Sequence, residues 1–245
     1  MLSKEYILEC LNKYCTFNED LSEGTFYDYV VSPLEDANCF EDWTYDSGCT
    51  KGVLIFGELD YVIKIPFYSS YYEEETEYNE ETDEYEVICE GGTCEYSFGG
   101  VEVEGFCHDN DWDYCETESY RYIVAEKNGM AEHFAKTEYI GSVQSWPIYA
   151  QVRACMFCSQ DSYDSRSKKN YSDEDRSRAQ TLKQEHFMPE IDEEWVIDFI
   201  SFWGEEKLRE FFKFCVEWEI EDLHRGNIGY VCGVPCLIDY SSFNS

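Results

Sequence analysis

Apolar residues recur along the chain with two periods, and the places where the period changes mark its elements. Residues 3–14 carry Tyr6, Ile7, Cys10 and Leu11 at helical spacing and predict a short leading helix. Residues 15–46 are rich in turn formers, apart from an aromatic and β-branched run at 25–31 that predicts a strand. Two strand-like runs follow at 53–56 and 61–67, separated by Gly57-Glu58-Leu59-Asp60, a hairpin signal. A helix is predicted over about 113–128, where Glu118, Tyr122 and Ala125 share one face. Runs at 134–141 and 147–152 read as further strands. Residues 159–185 hold few large apolar side chains and predict a polar loop or a polar helix. Two amphipathic helices come next, at 192–203 and 205–219, the second with Leu208, Phe211, Phe212, Cys215 and Trp218 on one face. The runs 230–232 and 236–238, about a turn at Gly233-Val234-Pro235, predict a closing hairpin.

Composition changes this picture chiefly through charge. A hydrophobic share of 43% with 18% aromatic residues supports a real core, and 245 residues suffice for one large or two small domains. The formal net charge is −35, and it is unevenly spread. Between Tyr68 and Glu118 stand eighteen Asp and Glu and no Lys or Arg. Such a surface repels nucleic acid, so direct nucleic-acid binding is not expected. Glycine pairs at Gly91-Gly92 and Gly99-Gly100 suggest that this acidic stretch, about 68–112, is an inserted hairpin. It reads as a solvated insertion, a landing site for a basic protein partner, or an imitation of nucleic-acid charge. The thirteen cysteines fit small buried hydrophobes in a reducing compartment. Two groupings can instead bind metal: Cys89, Cys94, Cys107 and Cys115 with His108 nearby, and Cys155 with Cys158. No run is long and apolar enough for a membrane span and no secretory signal opens the chain, so a cytoplasmic setting is expected.

Candidate chemistry gathers near residue 230. Magnesium takes oxygen ligands and needs only one or two from protein, leaving positions for phosphate and water. Asn227 and Asp239 suit that need, and the hairpin between them would bring them together. Taken alone, Asp222-Leu223-His224-Arg225-Gly226-Asn227 is also an ordinary turn composition. Upstream, Lys64 stands in mid-strand among Val62, Ile63 and Ile65, where it must reach solvent or an anionic partner.

These residues resemble the protein-kinase-like superfamily, with the catalytic loop in the form typical of aminoglycoside and related small-molecule phosphotransferases. The resemblance implies an ATP- and Mg2+-dependent phosphotransferase with an unknown acceptor. Asp222 would meet the acceptor hydroxyl, while Asn227 and Asp239 would hold Mg2+. Val62-Ile63-Lys64 resembles the strand whose lysine contacts the nucleotide phosphates and an acidic residue of the next helix. Glu118 is the implied partner and Glu116 the alternative. Ser47-Gly48-Cys49-Thr50-Lys51-Gly52 would be the phosphate-covering turn, with Gly48, Lys51 and Gly52 against the nucleotide, although it lacks the full G-x-G-x-x-G pattern. Backbone from Gln151 to Arg153 would meet the adenine.

The implied fold is α+β, a minimal bilobal kinase-like fold with an antiparallel-sheet lobe and a truncated, mainly helical one. Its parts would be an N-terminal extension (1–46), a small lobe with the acidic insertion (47–152) and a second lobe with the catalytic loop (153–245). The chain departs from the family in three places. Ile220-Glu221 replace the pair that precedes the catalytic Asp, Tyr240-Ser241 replace Phe-Gly, and only six residues follow Asp239. The nucleotide side is thus expected intact and the acceptor side reduced. Compactness and composition would suit a phage-encoded protein. The reading of another class is an inactive pseudokinase, or an acidic inhibitor that mimics nucleic acid and engages a basic partner.

Overall fold

Strand pairing around Lys64 sets the frame of the molecule. In the computed structural model, β1 (Trp43–Ser47), β2 (Lys51–Phe56) and β3 (Tyr61–Pro66) form an antiparallel meander, joined by β8 (Thr137–Val143) and β9 (Trp146–Val152). The order across this five-stranded sheet is β1-β2-β3-β9-β8. The residues described are 2–17, 24–48, 50–67, 69–71, 75–79, 84–89, 94–96, 98, 113–220 and 222–241. Most of the acidic stretch, including Cys107 and His108, lies outside them, as does Cys49 of the predicted turn. Within the stretch, β4 (Ser69–Tyr71) pairs with β7 (Cys94–Tyr96) and β5 (Glu75–Asn79) with β6 (Glu84–Cys89), two nested antiparallel pairs.

Buried side chains fall into two clusters, with α3 (Tyr114–Lys127) contributing to both. The first joins the sheet to α1 (Lys4–Tyr14) through Ile7, Leu11, Leu54, Phe56, Ile63, Ile65 and Ile148. Phe98, within the acidic stretch, is 2% exposed and packs against Phe17, Phe67 and Trp146. The second cluster holds α5 (Asp173–Glu185), α6 (Glu193–Trp203) and α7 (Glu205–Glu217) around Trp195, Phe199 and Phe211. A small sheet packs with it, in the order β10 (Cys155–Met156), β11 (Ile228–Val231), β12 (Val234–Leu237). The class is therefore α+β.

Two expectations are corrected, and between the loop and helix alternatives for 159–185 the structure takes the helix. The run 25–31 is helical, a π-turn over Tyr27–Val31 that continues into α2 (Ser32–Asp36). Asp28 accepts from the Thr25 amide at 2.8 Å and from its hydroxyl at 2.6 Å, which starts a helix despite β-favouring side chains. Residues 159–185 form two helices, α4 (Gln160–Arg166) and α5, started by the capping serines Ser159 and Ser172. The closing hairpin turns at Cys232-Gly233, both with positive φ, so Pro235 lies inside β12 opposite Tyr230. Two successive left-handed residues give the two-residue turn whose twist matches the strands, and a proline is tolerated on an edge strand.

Candidate active site

Alternation along β3 sends Ile63 and Ile65 into the first cluster and leaves Lys64 for the opposite face, which α3 covers. The helix is held in rotation at its start. Asp113 caps it, accepting from the amides of Cys115 at 2.8 Å and Glu116 at 2.9 Å. The second Asp113 oxygen accepts from the Tyr149 hydroxyl of β9 at 2.7 Å. Burial raises the pKa of Asp113, and these hydrogen bonds oppose it. With the helix so fixed, Glu118 points at the sheet and is fully buried.

Lys64 Nζ lies 2.8 Å from Glu118 Oε2 and 3.0 Å from Oε1, so these two expected partners are brought together. Glu116, the alternative, has no such contact among the described residues. A buried carboxylate needs a full set of donors. Glu118 has them: Lys51 Nζ at 2.5 Å, Thr137 Oγ1 at 3.1 Å and Gln151 Nε2 at 3.3 Å add to Lys64.

Lys51 is the residue that sequence reasoning placed least well. It opens β2 rather than sitting in the turn, and its ammonium reaches Asp239 Oδ2 at 2.9 Å as well as Glu118. Burial alone would lower its pKa, but Asp239 and then Glu118 outweigh that and hold it raised. For Asp239 burial likewise opposes the charged form, and Lys51 followed by Lys64 pulls its pKa well below the carboxylate range. Two ammoniums and two carboxylates thus form one balanced network. Its signal was present in the parity of the strands. Val53 pairs with Lys64, and Lys51 is two residues from Val53, so both lysines project from one face.

Glycines of the predicted turn divide. Gly48 is at the hairpin tip, its amide donating to Lys51 O at 3.0 Å, and a Cβ there would meet nothing within 4 Å. At Gly52 a Cβ would come within 2.4 Å of the Phe26 ring, so packing alone calls for glycine. Gln151 is 1% exposed and uses its side chain internally, donating to Ile238 O at 2.7 Å and Thr137 Oγ1 at 2.8 Å. Beside it, the amides of Val152 and Arg153 donate to Lys136 O at 2.9 Å and Asp60 O at 2.7 Å.

The loop of the second cluster is wired to the network through Asn227. Its Nδ2 donates to Asp222 O at 2.8 Å and Asp222 Oδ2 at 2.9 Å, while its carbonyl accepts from the amides of Ile238 at 2.8 Å and Asp239 at 3.2 Å. Ile238 O in turn accepts from Lys64 Nζ at 3.4 Å. The Asp222 side chain is 27% exposed and has His224 Nε2 at 3.5 Å from Oδ1, so it faces the surface beside a second titratable group. Tyr240 and Ser241 were noted only as departures, yet both work here. Ser241 Oγ donates to Asp239 Oδ1 at 2.8 Å, and the Tyr240 hydroxyl donates to Ala135 O at 2.7 Å. Arg121 Nη1 donates to Tyr240 O at 2.6 Å, tying α3 to the segment after Asp239.

One carboxylate and one amide oxygen would suit magnesium, which binds few protein ligands, and Asn227 turns its donor nitrogen to Asp222, so its Oδ1 is the atom that could face a metal. Among the described residues no group of three or more His, Cys, Asp or Glu is placed to hold a metal. Cys155 and Cys158 are exposed free thiols. No helix among the described residues is long and apolar enough to cross a membrane. Comparison with family models, curated proteins and solved structures yields no match.

Proposed function

We propose that this protein is an ATP- and magnesium-dependent phosphotransferase with a minimal bilobal kinase-like fold. The observation that carries the reading is the meeting of Lys64, Glu118 and Asp239, residues far apart in the chain, in one network that is buried at Glu118 and the lysines, half-open at Asp239, and joined through Asn227 to Asp222. A strand lysine paired with a helix glutamate beside a metal-binding Asp is the arrangement that phosphoryl transfer by kinases requires.

Lys64 orients the nucleotide phosphates, and Glu118 fixes Lys64 by its two short contacts. Thr137 and Gln151 hold Glu118 in turn. Asn227 and Asp239 would hold magnesium, which there neutralises charge on the phosphates. Asp222 accepts the proton of the acceptor hydroxyl, and its bond from Asn227 Nδ2 keeps the carboxylate next to the metal ligands. Positioning and charge do most of the work in such sites. Asp239→Ala should therefore lower phosphoryl transfer by a factor of about 10² or more, measured with labelled ATP. Transfer at the wild-type rate would sink the metal assignment.

A second reading has one observation in its favour. Both oxygens of the Asp239 carboxylate are engaged within the protein, Oδ2 by Lys51 and Oδ1 by Ser241, which suits a scaffold that binds nucleotide without turning it over. Nucleotide binding with no transfer, retained in Asp222→Ala, would select it.

A further inference from the structure

A cleft of about 320 Å³ opens beside the loop that carries Asp222 and Asn227, lined by Phe157, Cys158, Gln160, Tyr163, Arg166 and Arg225. Two of these six are guanidiniums and none is an acid, in a chain with 53 Asp and Glu against 18 Lys and Arg. Chance would put carboxylates on such a wall.

Both guanidiniums are fixed before any ligand arrives. Arg166 Nη1 donates to Phe157 O at 2.7 Å and to Ser162 Oγ, and Nε reaches Glu194 Oε2 at 3.4 Å. Its plane lies over the Phe157 ring, 3.5 Å from the centroid. Arg225 is held by Asp192 Oδ2, at 2.8 Å from Nε and 2.6 Å from Nη2, while its side chain stays 71% exposed. It lies 6.0 Å from the centroid of the same Phe157 ring. Asp192 is the cap of α6 and, with Glu194, braces the guanidiniums from outside the lining of the cleft. Glu194 is shared with Arg176, whose Nη2 lies 3.0 Å from Oε1, so three guanidiniums rest on the two carboxylates Asp192 and Glu194 and one positive charge is left over. An oxyanion between Arg166 and Arg225 completes the balance, and the planar forks of arginine match carboxylate and phosphate geometry.

We infer that this cleft binds the carboxylate or phosphate group of a small molecule. Resting on the phosphotransferase reading, that molecule is the phosphoryl acceptor. Arg225 is three residues from Asp222, so their Cα atoms are at most about 11 Å apart. A small acceptor held by its anionic end can therefore present a hydroxyl to Asp222. Gln160, whose Nε2 donates to Asp164 Oδ1 at 2.7 Å, and Tyr163 are the uncharged polar groups of the same wall.

The test compares the wild type with Arg225→Gln, an exposed position whose loss should leave the fold intact, using inorganic phosphate and Mg·ATP as separate probes in calorimetric titrations. Phosphate should bind the wild type and bind Arg225→Gln at least fivefold more weakly, with Arg225→Lys between them. Equal phosphate affinity in wild type and Arg225→Gln, or no phosphate binding by the wild type, would overturn the anion site. Mg·ATP answers a different question. If the wild type binds phosphate through Arg225 but does not bind Mg·ATP, the anion site stands and its assignment to a phosphoryl acceptor falls with the phosphotransferase reading.

Discussion

Glu118 decides the electrostatics of the site at the scale of single residues. It is fully buried, and Lys51 and Lys64 both depend on it for charge balance. Surface ion pairs such as Lys207 with Glu210 contribute at most about 1 kcal/mol, because water and salt screen them. Removing one member of a buried set leaves another without its partner and costs about 3–5 kcal/mol. Glu118→Gln should therefore lower the unfolding free energy by that order in urea titrations. A loss under about 1 kcal/mol, in the range of surface pairs, would show that water reaches the lysines. The meeting of Lys64 with Glu118 was legible from the helical face of Glu118 together with the family resemblance, and the closeness of Asn227 to Asp239 from the hairpin that joins them. Lys51 was not, because its place follows from strand parity and becomes visible only once the register of β2 against β3 is known.

At the scale of elements, the short 3-10 turn Ala131–His133 holds the clearest pH dependence. His133 is fully buried among Phe199, Trp203 and Phe211, and neither ring nitrogen has a hydrogen-bond partner among the described residues. Burial, helped by Lys207, pushes its pKa down to about 4. A histidine that is harder to protonate when folded adds stability that is complete above its unfolded pKa of about 6.5 and lost as pH falls towards the folded value. The full effect is on the order of 3 kcal/mol. His133→Phe lacks this term, so its stability relative to wild type should rise by roughly 2 kcal/mol between pH 7 and pH 5. Parallel curves for the two proteins would contradict it. Elements themselves were legible where one period ran long enough. Four members of the predicted α7 stripe, Leu208, Phe211, Phe212 and Cys215, are fully buried, while the fifth, Trp218, caps the helix and is half-buried. The run at 25–31 misled because aromatic and β-branched residues suit a strand, while the local bond between Asp28 and Thr25 begins a helix. The closing turn was misplaced because Pro235 looked like a turn residue although it sits in an edge strand.

Across the whole molecule, charge and the buried network pull in opposite directions. A net charge of −35 favours expansion through self-repulsion, whereas the network ties residues of the sheet, α3 and the segment after β12 together. Salt screens the first far more than the second. Raising sodium chloride from about 0.05 to 0.5 M should raise the melting temperature by roughly 2–8 °C, for about 1–2 kcal/mol of relieved repulsion. A fall would mean that exposed pairs such as Lys4 with Glu138 and Arg209 with Glu185 dominate. On the proposed function the same screening bears on ligands, since a nucleotide approaching so acidic a molecule would depend on local cations at Lys51 and Lys64 and on magnesium. The most direct test of the proposed activity is turnover of labelled ATP with and without magnesium, in wild type and in Asp222→Ala, whose half-buried side chain contacts only Asn227 and His224 among the described residues. Magnesium-dependent release or transfer of the γ-phosphate by the wild type, lowered by a factor of about 10²–10⁴ in Asp222→Ala, is the expected result. Absence of magnesium-dependent turnover and of Mg·ATP binding in the wild type would contradict it.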